Sequence, residues 1–171
     1  MAPAFTGPAS FGFSFSCEDS GGLNPPTGRL RIQLSYTDHG TNSLGSPFSI
    51  HGIVDTFDES IFPGLESAIC IGQEPPPEPD RNLLTFLGRY RLTSSAPAGF
   101  PSECPARGTE TTPLCRFEVT VRDNDMDRAP SKGDSFMIIL SKRTVLESKL
   151  DPLIAPYTRA GVLSSGNITV D

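Results

Sequence analysis

The chain has 171 residues, 36% hydrophobic and 20% charged, a balance that excludes a disordered chain and fits one domain around a single core. A formal net charge of −6 argues against a polyanion partner, because nucleic-acid affinity rests on clustered Lys and Arg; no nucleic acid is expected. Proline (17) and glycine (16) imply many turns, and no run approaches the roughly 20 apolar residues of a membrane helix, so no membrane span is expected.

In chain order the pattern is one of alternation. Phe11, Phe13 and Phe15 share one face of a first strand, and Leu30, Ile32, Leu34 and Tyr36 share one face of a second. Phe48, Ile50, Gly52 and Val54 continue the period. Ala68–Ile71 adds a short strand, and residues 73–82 carry four prolines among acidic neighbours, a surface loop. Leu84, Phe86, Gly88, Tyr90 and Leu92 follow, with Arg89 and Arg91 on the opposite, solvated face. Residues 94–113 form a second irregular surface stretch around Cys104.

Cys115, Phe117, Val119 and Val121 alternate with Arg116, Glu118, Thr120 and Arg122, giving one dry and one wet face. Phe136–Leu140 is apolar on both faces, as in a central strand. Val145–Leu150 is the sole helical candidate, a turn or two before Pro152. Gly161–Leu163 with Asn167–Val170 reads as a terminal hairpin or bent edge strand. The count of seven to nine strands predicts an all-β chain, residues 1–171 forming a single antiparallel β-sandwich with long Pro-rich loops, and a barrel as the lesser alternative.

Cys17, Cys70, Cys104 and Cys115 have no CxxC spacing, which favours disulfides over zinc or redox chemistry. Three pairings are open. Cys104 with Cys115 is preferred because it closes a short loop, leaving Cys17 for Cys70. Oxidised cysteines imply a secreted, extracellular or periplasmic chain. Met1–Pro8 lacks the charged start and apolar run of a signal peptide, so a leader already removed is expected.

The segment 121–134 holds the one metal-like pattern. Asp123, Asp125 and Asp127 take positions 1, 3 and 5 of a DxDxD loop and Asp134 takes position 12, the spacing with which carboxylates surround Ca2+. Arg128 stands where such loops place glycine, and Asp134 where they place glutamate. The competing reading is a polar hairpin, with Asp123 and Asn124 bonding backbone amides and Gly133 permitting the reversal. Neither makes an enzyme.

His39 and His51 are the only histidines; they read as a turn residue and an exposed strand residue. GxSxG, HExxH and Gly-rich phosphate loops are absent. Asp58, Glu59 and Glu66 are the carboxylates open to glycoside hydrolysis, the least favoured reading. A chain without tryptophan and with three tyrosines is a poor aromatic platform, which lowers carbohydrate binding without removing it. Asn167-Ile168-Thr169 matches a glycosylation sequon and is read as coincidental.

Phe11-Gly12-Phe13, Gly28-Arg29-Leu30, Tyr36-Thr37-Asp38-His39-Gly40, the run Cys115–Asp123 and Gly133-Asp134-Ser135-Phe136 together resemble the post-COAP-1 type domain of bacterial secreted and surface proteins. The resemblance spans most of the chain. It implies a secreted β-sandwich of uncharacterised function and carries no catalytic residues. The Pro-rich insertion and the four cysteines depart from simple members.

The leading functional expectation is therefore a non-catalytic extracellular structural or interaction module. It would join a protein partner, or itself, through an edge strand in Gly161–Val170. A calcium-stabilised domain, binding carbohydrate or another ligand, is the alternative.

Overall fold

A computed structural model describes residues 7–18, 29–54, 83–107, 114–122, 133–142 and 154–163. Ala68–Ile71, Val145–Leu150 and Asn167–Val170 lie outside these residues. Seven strands follow one another: β1 (Ala9–Glu18), β2 (Arg29–Asp38), β3 (Phe48–Val54), β4 (Leu83–Leu92), β5 (Cys115–Arg122), β6 (Ser135–Leu140) and β7 (Tyr157–Val162). Every strand pairs antiparallel with its neighbour in sequence, so the sheet order is β1-β2-β3-β4-β5-β6-β7. The described residues contain no helix.

The described strands make one sheet, whereas the alternation led us to expect a sandwich of two. Alternation specifies a dry face but not what covers it, and here the sheet covers that face by curling on itself. Rings from distant strands meet across the inside of the curl. Phe11 of β1 stacks on Phe136 of β6 at 3.8 Å, Phe13 lies edge-on to Phe86 of β4, and Phe48 of β3 meets Tyr157 of β7 at 4.9 Å. Leu34, Tyr36, Ile50, Phe86, Phe117, Val119, Val121 and Ile138 complete this interior. Gly52 belongs there too. A Cβ at Gly52 would lie 2.6 Å from the Phe117 ring, so the aromatic side chain rests directly on the β3 backbone.

The outer face is less wet than the alternation implied. Arg116 and Glu118 on β5, expected in solvent, are 8% and 2% exposed. They stand beside Leu87 and Ile139, which form a small second apolar cluster with Met137 and Ala155. A central strand is flanked on both sides, so even its polar positions lose contact with water. Phe136–Leu140 does lie between two strands, as its two apolar faces suggested.

Residues 93–107 close one end. Leu92 N–H donates to the Ala106 carbonyl at 3.1 Å, and Gly99 N–H to the Leu44 carbonyl at 2.9 Å. The Cys104–Cys115 disulfide ties this loop to β5 across 11 residues. The expected pairing of Cys104 is thus present; Cys70 lies outside the described residues. Beneath the disulfide, the buried Tyr90 hydroxyl donates to the Ser141 carbonyl at 2.9 Å.

Candidate functional site

Inside the curl, where the end of β2 meets β7, the apolar core gives way to a polar cluster. Leu34, Tyr36 and Asp38 occupy successive inward positions of β2, so the same alternation that buries Leu34 carries a carboxylate to full burial. Tyr157 and Arg159 occupy the equivalent positions of β7. The Tyr157 hydroxyl donates to Asp38 Oδ2 at 2.6 Å, and Arg159 Nη1 lies 2.8 Å from Asp38 Oδ1. The Gly40 amide adds a third bond, to Oδ1 at 3.0 Å. Tyr157 spends its one proton on the carboxylate, so Tyr36, bonded to the Tyr157 oxygen, is the donor in that pair.

This cluster is closed. Both carboxylate oxygens are engaged, and the charge of Asp38 is balanced by a guanidinium whose side chain is 18% exposed. Burial raises the Tyr36 phenol to about 12, the Tyr157 hydrogen bond partly opposing it. Burial raises Tyr157 further still, reinforced by the neighbouring Tyr36 and Asp38. Both phenols remain protonated at neutral pH. Together with Asp38 they tie β2 to β7.

The turn after β2 is built to the same end. The buried Asn42 donates through Nδ2 to the Gly40 and Ser46 carbonyls at 3.2 and 3.0 Å and accepts from the Leu44 amide at 2.9 Å. Gly45 completes the reversal with a φ of 97°. Ser43 Oγ then reaches the Pro156 carbonyl at 2.8 Å, a second link to the approach of β7.

β7 itself begins at Tyr157, four residues before the strand expected at Gly161. It forms the outer strand of the described sheet. Val162 is 68% and Ile154 is 67% exposed, the two large apolar side chains most open to solvent among the described residues.

The proposed metal ligands are not assembled among the described residues. Asp123, Asp125 and Asp127 lie outside them; Asp134 is fully buried immediately before β6. No three His, Cys, Asp or Glu side chains gather into a metal-sized cluster among the described residues. His39 is exposed, its Nε2 2.9 Å from Ser10 Oγ. His51 faces outward across from Arg91, and burial, followed by the Arg91 charge, lowers its pKa. Asp58, Glu59 and Glu66 are outside the described residues.

Comparison with protein-family models, with curated proteins and with solved structures gave no match.

Proposed function

We propose that this protein is a secreted, non-catalytic interaction module that recruits another β-strand at the β7 edge of its sheet. The observation that carries the reading is the character of β7. After Arg159 it offers Ala160, Gly161 and Val162, all exposed, with no lysine, proline or acidic residue of the kind that usually blocks an edge. The Cys104–Cys115 disulfide supports an oxidising compartment. The closed Asp38 cluster, with its protonated phenols, supports a scaffold role over a chemical one.

A short fluorescent peptide alternating valine and threonine between terminal lysines tests this by anisotropy. Saturable binding that is lost in Val162→Lys is expected; absence of binding to the unaltered protein would overturn the reading.

The buried Asp134 favours one second reading, a calcium-stabilised module. Asp134, seven residues after Asp127, stands at position 12 of the spacing with which carboxylates surround a hard cation. A calcium-dependent rise in melting temperature, lost in Asp134→Asn and in Asp125→Ala, is its expected mark. Identical melts in chelator and in calcium would remove it.

A further inference from the structure

The ladder between β6 and β7 fixes which way each backbone group of β7 points. The Leu163 amide bonds the Asp134 carbonyl, so Tyr157, Arg159, Gly161 and Leu163 face β6 with their amides and carbonyls, while Thr158, Ala160 and Val162 turn theirs to the other side. The side chains keep the same period. Tyr157 and Leu163 pack against the core, which gives Gly161 an inward position and leaves Val162 exposed.

Gly161 is the open place on this inward face. It lies directly across from Phe136, and a Cβ added there would meet none of the described residues within 4 Å. A strand on the far side of β7 can therefore seat a branched side chain over the glycine, in line with the Phe136 ring. One end of that side is taken, because Arg159 donates through Nη2 to the Gly7 carbonyl at 2.6 Å and brings the approach to β1 against the start of β7. Residues 160–163 are the stretch along which a neighbour can lie.

The sequence after Leu163 fits that stretch. Ser164-Ser165-Gly166-Asn167 is rich in turn residues, and Ile168-Thr169-Val170-Asp171 alternates apolar with polar. A four-residue loop pairs Ile168 with Leu163, Thr169 with Val162, Val170 with Gly161 and Asp171 with Ala160. Directly paired residues share a face, so this register sends both apolar side chains toward the core, Val170 over Gly161, and keeps Thr169 and Asp171 on the wet side with Val162 and Ala160. The competing occupants fit less well. Residues 1–6 lead into β1 rather than out of β7, and Pro3 withholds an amide in mid-segment; the other segments outside the described residues are internal and held at both ends. A second chain loses translational freedom on binding, whereas a segment tethered at Leu163 is already beside the edge.

We propose that residues 168–171 cover the β7 edge as an antiparallel strand of this same chain, and that a partner strand is recruited by displacing them. Four residues make a weak cover, so a partner succeeds by supplying a longer ladder and better-filled inward positions, and selectivity lies in the exchange of one strand for another. The displacement rests on the edge-recruitment reading above; the cover does not.

Hydrogen exchange at Val162 tests the cover in the full chain. Its amide, turned away from β6, should exchange about tenfold or more slowly in the unaltered protein than in Thr169→Pro, which removes the amide paired with the Val162 carbonyl, or in Val170→Asp, which sets a charge over Gly161. Continued protection of the Val119 amide shows that the sheet is intact in each variant. Fast Val162 exchange in the unaltered chain, or exchange unchanged by both variants, would overturn the cover. Protection that fades on dilution, with a dimer in sedimentation velocity, would assign the strand to a second copy and overturn it as well. Displacement predicts that the valine-threonine peptide binds Thr169→Pro about tenfold more tightly than the unaltered chain. Equal affinities would overturn displacement and leave edge recruitment standing. Binding to neither protein would overturn recruitment and displacement together, with Val162 exchange still deciding the cover.

Discussion

The Tyr157 hydroxyl and Asp38 Oδ2 lie 2.6 Å apart in a fully buried pocket, although 119 residues separate them in sequence. They join the second strand to the seventh, five places away in the sheet. This bond and its Arg159 companion fix how tightly the sheet curls.

Tyr157→Phe is expected to cost about 1–3 kcal/mol, because it leaves Asp38 Oδ2 and the Tyr36 hydroxyl without their bonds in a buried site. Tyr36→Phe removes only a donor to an oxygen that keeps its other role, and should cost about 0.5–1.5 kcal/mol. Urea unfolding of the two variants checks the order. Equal losses would mean that Asp38 does not depend on Tyr157.

All three tyrosines of the chain are buried, and burial raises each phenol above its ordinary value of 10.0. A raised folded value means that the unfolded state ionises first. The stabilisation is therefore complete below pH 10 and is lost as pH climbs toward about 12, where Tyr36 titrates. Tyrosinate absorbance should stay flat through pH 10 in the native protein and rise there in urea. A native transition near pH 10 would refute the buried assignment of at least one ring.

His51 gives the opposite sign. Its folded pKa lies below 6.5, so the unfolded state takes up a proton first as pH falls. Its contribution is intact above about pH 6.5 and diminishes below it. The difference in stability between the protein and His51→Gln should narrow from pH 7.5 to pH 5, whereas a constant difference would show that neither burial nor the Arg91 charge disfavours the imidazolium.

Gly52→Ala places a methyl group against the Phe117 ring and should destabilise by about 1–3 kcal/mol. Pairing it with Phe117→Leu should recover part of that loss. Two fully additive costs would mean that the ring does not rest on this glycine.

Cys104→Ser with Cys115→Ser should lower stability by about 2–5 kcal/mol, the usual range for a native disulfide in a small domain. The 93–107 loop has backbone bonds of its own to Leu44 and Leu92, so its amides should exchange faster without the β-sheet melting. Hydrogen exchange read residue by residue distinguishes the two.

Much of this architecture is legible in the sequence. The period of two locates the strands from β1 to β6 and the inward faces of Leu34, Ile50, Phe86 and Phe117, because burial of one face imposes it. Parity even carried Asp38 inward, two residues after Tyr36, but a carboxylate beside a turn reads as turn chemistry unless its partner is known. That partner comes from β7, whose inward positions are Tyr157, Arg159 and Gly161. A strand with a polar, a charged and an absent side chain on its dry face carries almost no hydrophobic signal, so its start was placed four residues late. Arg116 and Glu118 show a second limit: alternation separates the two faces of a strand and says nothing of what lies against the outer one.

The odd number of described strands has a mechanical consequence. β1 starts beside the Asp38 cluster and β7 finishes at the other end of the sheet, so tension applied between Ala9 and Val162 is directed along the strands. The ladders are then loaded in shear, many bonds sharing the force, rather than peeled one at a time as in a hairpin pulled from its open end. This topology makes the described sheet a stiff link between Ala9 and Val162.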